Sequence, residues 1–204
     1  VAVAGATGAV GREMLQTLSE RNFPADEVFA LASEKSAGKE ISYGDEGVIK
    51  VTSLEQFDFS KANIVLFSAG SDLSKIHSPK AGQSGCLVID NSSAFRMDPD
   101  VPLIVPEVNP HTLMQAKIEN NGKNIIANPN CSTAQLVVAL KPIHDVLKIR
   151  RVVVSTYQAT SGAGSHGMDE LFNQTKGIFV NDTVTPEVFT KQIAFNAIPH
   201  IDVF

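Results

Sequence analysis

The sequence is poor in cysteine, in net positive charge and in long apolar runs, and each shortage excludes a class of protein. Its two cysteines, Cys86 and Cys131, have no CxxC or Cys/His spacing, so they indicate neither a zinc site nor a disulfide framework. A net charge of −5 with mixed signs leaves no basic stripe for nucleic acid or an anionic membrane. No apolar run reaches the length of a bilayer span, and the opening residues do not form a secretory signal. We expect a metal-free globular protein in the reducing cytoplasm.

The sequence does contain enough apolar residues for a core. Hydrophobic residues make up 43% of the 204 residues, which suffices for one large domain or two small ones. Over residues 1–128, short β-rich runs alternate with helical patterns, which is typical of a mostly parallel sheet covered by helices. A glycine-rich turn at residues 44–47 predicts a hairpin that interrupts the alternation. The predicted strands are "VAVAG", "VFALA", "NIVLFSA", "CLVID", "LIVPEV" and "NIIAN", and the predicted helices cover residues 10–21, 73–83 and 110–120.

Residues 129–204 follow a different pattern. A helix beginning at Cys131 leads into a long predicted strand, "RRVVVSTYQAT", and then into the glycine-rich "SGAGSHG". A short helix from Met168 and a loop-rich stretch follow. Because the pattern changes here, we place a domain boundary near residue 128.

Three glycines near the start of the chain suit a bound dinucleotide. The stretch "VAVAGATGAVGREML" places Gly5, Gly8 and Gly11 where the first strand meets the first helix, in a GxxGxxG variant of the dinucleotide fingerprint. Glycines there allow a tight turn and a close approach of pyrophosphate to the helix N-terminus. The alternative interpretation is a tight turn that merely needs positive φ. Arg12 follows Gly11 where a P-loop needs Lys and then Ser or Thr, which argues against a nucleotide triphosphatase.

The end of the second predicted strand bears on the choice between NAD and NADP. It reads Ser33, Glu34, Lys35, Ser36. An acidic residue here usually binds the adenosine ribose of NAD, and Glu34 keeps that possibility open. A cation between hydroxyls suits the 2′-phosphate of NADP, so Lys35 with Ser33 and Ser36 favours NADP over a merely solvated polar loop.

Cys131 lies between an Asn-Pro-Asn corner and the first turn of a predicted helix. Pro129 favours an extended Asn128, so the preceding strand should end there and the helix should begin at Cys131. Unpaired N–H groups and the positive end of the helix dipole stabilise a thiolate at such a position. The ordinary alternative is a buried, inert cysteine, which we expect for Cys86 in the strand "GCLVID". We therefore predict that Cys131 is a nucleophile.

Taken together, the cofactor fingerprint, the activated cysteine and the motif "STYQATSGAG" resemble the aspartate-β-semialdehyde dehydrogenases, which work through a thioester. The resemblance covers essentially the whole chain. The related N-acetyl-glutamyl-phosphate reductases and glyceraldehyde-3-phosphate dehydrogenases surround the cysteine with other residues. The matching motifs are "GATGAVG", "SAGS" (68–71), "DNSSAFR" (90–96), "VPEVN" (105–109), "NPNCST" (128–133), "STYQATSGAG" (155–164) and "AFNAIPHID" (194–202).

The resemblance implies a reaction and a role for several residues. Cys131 would displace phosphate from L-4-aspartyl phosphate, and NADPH would then reduce the thioester to L-aspartate 4-semialdehyde. This step serves the biosynthesis of lysine, threonine, methionine and isoleucine. Gln158 matches the residue that orients the substrate, Arg96 matches the phosphate-binding arginine, and Asn130 is a substrate neighbour. The residues expected to bind NADP are Gly5, Thr7, Gly8, Ala9, Val10, Gly11, Ser33, Lys35, Ser36, Ser68, Gly70, Ser161 and Gly162.

The resemblance also implies a fold and an assembly. We expect a Rossmann-type NADP-binding domain over residues 1–128, followed by the first part of an α+β catalytic and dimerisation domain over residues 129–204. A homodimer or a dimer of dimers is expected. The family's acid/base histidine lies beyond Phe204, so we expect His166 and His200 to be structural and these 204 residues by themselves to be inactive. An N-acetyl-glutamyl-phosphate reductase-like enzyme and a non-catalytic NADP-binding fragment remain the alternatives.

Overall fold

The computed structural model describes residues 1–45, 47–114, 123–182 and 184–200. By its contacts the chain divides into two compact units, Val1–Val153 and Val154–Phe204. The first unit contains the sheet, and the described part of the second contains a long helix with the segments that contact it. This division falls between residues 153 and 154; the functional domain boundary near residue 128 stays a prediction.

A mostly parallel sheet forms the centre of the first unit, which confirms the predicted fold. The described strands are β1 (Ala2–Ala4), β2 (Phe29–Ala32), β3 (Glu40–Tyr43), β4 (Gly47–Ser53), β5 (Ile64–Phe67), β6 (Leu87–Asp90) and β7 (Ile125–Ala127). Their order in the sheet is β3-β4-β2-β1-β5-β6-β7. Every neighbouring pair is parallel except β3 and β4, whose antiparallel register from Glu40↔Lys50 to Tyr43↔Gly47 is the predicted hairpin. In its turn, Glu46 lies outside the described residues.

Helices cover both faces of the sheet. The first unit contains α1 (Ala9–Glu20), α2 (Ser71–Gln83) and α3 (Cys131–Leu147). Because side chains alternate along a strand, Val3 packs on one face with Leu15 of α1, whereas Ala2 packs on the other face with Ala81 of α2. Of the helix predicted at residues 110–120, residues 111–114 are helical and residues 115–120 lie outside the described part. Within that part, every helix is too short or too polar to cross a membrane.

The strand predicted at residues 103–108 is wrong. Among the described residues, only an isolated bridge, Leu103↔Ala127, joins this segment to the sheet. The side chain of Asn109 instead accepts a hydrogen bond from Val105 N at 2.9 Å and donates one to Leu103 O at 2.9 Å. Together with prolines, which lack the N–H group that a strand needs, this side chain folds the segment into a loop.

The chain after α3 differs from its prediction in two places, one at the junction of the two units and one within the second unit. Residues 151–159, expected to form a long strand, have no strand partner among the described residues, and Val153 is 80% exposed. Strand-like sequence alone does not make a strand without a neighbour to complete the ladder. The helix predicted from Met168 begins earlier, as α4 (Gly164–Val180), after a 3₁₀ turn at Thr160–Ala163.

Polar side chains of α4 hold the segment that follows it. Glu170 accepts hydrogen bonds from the backbone N–H groups of residues 187, 188 and 189, and Gln174 accepts from those of Ile193 and Ala194. Glu170 and Gln174 also bond to each other at 2.9 Å. These tertiary contacts stabilise α4, although the glycines in its first turn favour a loop by local propensity.

Candidate active site

The carboxyl ends of six parallel strands meet at one edge of the sheet, where α/β proteins of this type bind ligands. Most predicted site residues follow these strand ends directly. They are Gly5 to Gly11 after β1, Ser33 to Ser36 after β2, Ser68 and Gly70 after β5, Arg96 after β6, and Asn130 and Cys131 after β7. The first unit therefore brings the predicted nucleophile and most of the predicted cofactor residues to the same edge.

The turn after β1 fits a dinucleotide. Gly5 has a φ of +85°, and a Cβ on it would lie 2.3 Å from Ser68 O. A Cβ on Gly11 would lie 2.1 Å from Gly5 O, so both positions need glycine. Gly8 precedes α1 without a side-chain cap, which leaves backbone N–H groups of the first turn for a phosphate. Arg12, whose cationic role the sequence did not suggest, donates from Nε to Thr7 O at 3.2 Å and adds positive charge beside this turn.

In the turn after β2, the side chains of Glu34 and Lys35 have different surroundings. Residues Glu34–Ser36 form a 3₁₀ turn, and Glu34 Oε1 accepts a hydrogen bond from Gln56 Nε2 at 3.2 Å. Lys35 is exposed and forms no ion pair with any described residue. The carboxylate is thus engaged by protein while the ammonium group is open to an anionic ligand.

Cys131 is the first residue of α3, as predicted. The side chain of Asn130 caps this helix, since its Oδ1 accepts from Ser132 N at 3.0 Å, and the thiol of Cys131 lies 3.8 Å from the same oxygen. Cys131 is exposed to solvent. Its placement combines access with the positive end of a 17-residue helix.

Cys86 has the opposite surroundings. It is fully buried beside β6, with its Sγ within 3.0 Å of Phe59 O and 2.9 Å of Ala62 O. Burial raises the pKa of the Cys86 thiol. The prediction that Cys86 belongs to the core is confirmed.

An open groove of about 430 Å³ lies beside Cys131 within the first unit. The loop after Leu103 forms one wall and the start of α3 another. Its size suits a small molecule, and sequence reasoning gave no role to most of its polar groups, although Asn91, Glu107 and Asn128 lie within the family motifs. The lining residues are Asn91, Ile104, Val105, Pro106, Glu107, Asn128, Pro129, Cys131, Ala134, Gln135 and Val138.

Arg96 is not among the lining residues, but its side chain hydrogen-bonds to two residues that are. Its Nε donates to Asn128 O at 2.9 Å and its Nη2 donates to Asn91 O at 3.1 Å. Both acceptor residues line the groove. The remaining N–H groups of the guanidinium have no partner among the described residues. Arg96 can therefore keep its bonds to Asn91 and Asn128 and still bind an anion.

Three predicted residues belong to the second unit. Gln158 is exposed, and its Nε2 donates to Thr156 Oγ1 at 3.4 Å. Ser161 and Gly162 lie in the exposed 3₁₀ turn before α4. Their roles in binding substrate and cofactor stay predictions.

Two family models match the chain. Residues 1–116 match the NAD binding domain of semialdehyde dehydrogenase, and residues 140–204 match its dimerisation domain. The chain belongs to the semialdehyde dehydrogenase family. The NAD binding model covers the glycine turn, Lys35 and Arg96, and the dimerisation model covers Gln158; Cys131 lies between the two matches.

Individual aspartate-semialdehyde dehydrogenases resemble the chain over most or all of its length. The aspartate-semialdehyde dehydrogenase of Rickettsia conorii is 55% identical over 98% of this chain and 58% of its own. A crystal structure of aspartate semialdehyde dehydrogenase II from Vibrio cholerae complexed with ASA matches with a TM-score of 0.90 and 51% identity, covering 100% of this chain and 59% of its own. The Candida albicans aspartate semialdehyde dehydrogenase with NADP matches at TM-score 0.57 and 29% identity, over 72% of this chain and 47% of its own. The chain thus spans a little under three fifths of the first two relatives.

Proposed function

We propose that the protein is an NADP-dependent aspartate-semialdehyde dehydrogenase that converts L-4-aspartyl phosphate to L-aspartate 4-semialdehyde. The observation that carries this proposal is an exposed cysteine at the first residue of α3, on the sheet edge that also holds the glycine turn. A nucleophile next to a dinucleotide site suits the reduction of an acyl group held as a thioester. The 55% identity to a relative of that name supports the substrate.

Cys131 carries the covalent steps. Its Sγ bonds to the acyl carbon of aspartyl phosphate, while the bond from that carbon to the phosphate oxygen breaks and phosphate leaves with the electron pair. NADPH, when bound, supplies the hydride that reduces the acyl carbon. The C–S bond then breaks, which releases the aldehyde and restores the thiolate.

The protein groups around Cys131 position and stabilise these species. The N-terminus of α3 stabilises the oxyanion that develops on the acyl group, an effect of about 0.3–1 kcal/mol for an exposed helix end. Asn130 fixes the first turn of this helix through its cap and lies beside the substrate. Gln158 orients the acyl group, a role that rests on the motif "STYQATSGAG".

Arg96 binds the phosphate that leaves in one direction and attacks in the other. A planar guanidinium suits a tetrahedral oxyanion because two N–H groups can meet two oxygens at once. The hydrogen bonds to Asn91 O and Asn128 O hold the guanidinium beside the groove and leave its other N–H groups for phosphate.

The proposed cofactor is NADP, because the glycine turn accepts a pyrophosphate and Lys35 is open to a 2′-phosphate. The Candida albicans relative was crystallised with NADP, which supports the same choice. Ser68, Gly70, Ser161 and Gly162 complete the proposed contacts. A cytoplasmic homodimer or dimer of dimers agrees with two unpaired cysteines and with a match to a dimerisation domain.

The test is an assay of the protein expressed from its complete gene. NADPH oxidation should be fast with aspartyl phosphate and at least about 100-fold slower with N-acetyl-glutamyl phosphate, since an enzyme discriminates through polar groups built for one substrate. A preference for N-acetyl-glutamyl phosphate would assign the protein to the sister reductases. NADP binding without turnover of either compound would leave a non-catalytic module.

A further inference from the structure

A buried carboxylate that the proposed mechanism does not use comes just before Asn91, a lining residue of the groove. Asp90, the last residue of β6, is fully buried. An ionised side chain is costly to bury unless hydrogen bonds replace its lost water. Asp90 has two such bonds: Oδ1 accepts from Ser92 N at 2.7 Å, and Oδ2 accepts from Ser74 Oγ.

One buried serine of α2, Ser74, orients this carboxylate, and a second, Ser78, bonds only to the first. Ser74 donates its hydroxyl proton to Asp90, so in the 3.0 Å contact between Ser74 Oγ and Ser78 Oγ the donor is Ser78. Both serines are fully buried. The direct bond from Ser74 fixes the carboxylate relative to the helix.

The other carboxylate oxygen shapes the loop that leads to Arg96. Its bond to Ser92 N closes a turn, and Ser92 Oγ then accepts from Ala94 N at 3.1 Å, which closes a second turn. Two residues later, Arg96 returns to Asn91 O and Asn128 O. Hydrogen bonds among residues 90–96 therefore shape this loop. The bond from Ser92 N to the buried Asp90 links its first turn to the core.

We propose that Asp90 is a positioning residue that sets the place of the Arg96 guanidinium beside the groove, an inference that rests on the proposed function of Arg96 in binding phosphate. Without the carboxylate, Ser92 N loses its acceptor in a buried place and the first turn relaxes. The guanidinium then no longer meets phosphate in a fixed orientation. The proposal predicts an effect on phosphate that is larger than the effect on NADP or on the rate at saturation.

The experiment measures the reverse reaction of the protein from its complete gene, with inorganic phosphate as the varied substrate and NADPH formation as the signal. Asp90→Ala should raise the KM for phosphate about tenfold, with changes below about threefold in kcat and in the KM for NADP. Asp90→Asn, which keeps an acceptor for Ser92 N, should restore the KM to within about threefold of wild type. In an Arg96→Ala background, Asp90→Ala should add almost nothing, because both changes act on the same contact.

A matched pair on α2 keeps the test decisive if Asp90→Ala does not fold. Ser74→Ala removes the hydroxyl that orients Asp90, whereas Ser78→Ala removes a buried hydroxyl one step further away. Ser74→Ala should raise the KM for phosphate about threefold, and Ser78→Ala should leave it unchanged while costing similar stability. Equal KM values in these two variants, or an Asp90→Ala effect that adds fully to that of Arg96→Ala, would overturn the proposal.

A calorimetric titration with inorganic phosphate separates this proposal from the proposed function. If the wild-type protein does not turn over aspartate semialdehyde, the proposed function fails, yet the dissociation constant for phosphate can still be compared between Ser74→Ala and Ser78→Ala. If the wild type turns over normally and phosphate affinity is the same in every Asp90 and Ser74 variant, Asp90 has no positioning role.

Discussion

The sheet of the first unit buries apolar side chains on both of its faces, whereas α3, all of whose residues are described, has no buried residue. Phe67 of β5 and Leu15 of α1 are fully buried, but Val146 and Leu147 at the end of α3 are 79% and 74% exposed. The sheet region therefore contains its own hydrophobic core. Apolar side chains of α3, including Val146 and Leu147, remain exposed on the surface of the described residues. The match to the dimerisation domain begins at residue 140, within α3.

The two cysteines give the largest expected contrast between these regions. Cys131→Ala should lower turnover by more than about three orders of magnitude, because it removes the nucleophile and not merely a contact. Cys86→Ala should leave kcat and KM unchanged and cost about 1 kcal/mol of unfolding free energy through lost packing. Steady-state kinetics and urea unfolding of both variants check this. Residual turnover near wild type in Cys131→Ala would end the thioester mechanism.

Two glycines, one in each unit, differ in how closely other atoms pack around them. Gly5→Ala combines a positive φ with a clash against Ser68 O, and it should cost about 2–5 kcal/mol of unfolding free energy and abolish NADP binding. Gly162→Ala, with open space around its Cβ, should change the unfolding free energy by less than about 0.5 kcal/mol. Thermal unfolding and a cofactor titration measure these effects. Equal destabilisation by the two changes would show that the turn after β1 is not closely packed.

Lys35 tests the cofactor side of the sheet edge. Lys35→Ala should weaken NADPH by about 1.5–3 kcal/mol if a charged hydrogen bond is lost, and it should weaken NADH much less. Fluorescence titration with both cofactors gives the difference, and Lys39→Ala, a nearby exposed lysine, serves as the control. An equal loss for NADPH and NADH would make Lys35 a solvated loop cation and direct attention to Glu34.

The smallest effect concerns the second unit, where the polar side chains of Glu170 and Gln174 bind the segment after α4. Burial tends to raise the pKa of Glu170, but the N–H groups of residues 187–189 and the amide of Gln174 outweigh it and lower the pKa. The stabilisation is therefore present above the unfolded pKa of about 4.3 and is lost as the pH falls through the lower folded value. Glu170→Gln should cost about 1 kcal/mol at neutral pH and remove this loss on acidification. Urea unfolding between pH 6 and pH 3 checks it, and an unchanged pH slope in the variant would contradict it.

Much of the first unit could be predicted from sequence because local pattern and tertiary packing agree there. Apolar runs such as "VAVAG" are buried on both sides, and Pro129 with Asn130 marks the start of α3 through local backbone preferences alone. The glycine turn and the placement of Cys131 are predictable for the same reason, since backbone geometry limits which residues can occupy those places.

Other features depend on contacts that no local pattern contains. Residues 151–159 have strand propensity, but a strand needs a neighbour. The side chain of Asn109 folds residues 103–109 into a loop. Glu170, on α4, binds backbone N–H groups that lie 17 to 19 residues further along the chain. Arg96 likewise joins residues that follow two separate strands, and Asp90 bonds to Ser74 of α2, so only the three-dimensional fold reveals these contacts.

The most direct test of the central claim, that Cys131 forms the acyl-enzyme, is a mass measurement after incubation with aspartyl phosphate in the absence of NADPH. The intact protein should gain the mass of one aspartyl group, and peptide mapping should place that group on Cys131. The adduct should disappear when NADPH is added and should be absent from Cys131→Ser but present in Cys86→Ser. An adduct on another residue, or full turnover without any adduct, would contradict the account.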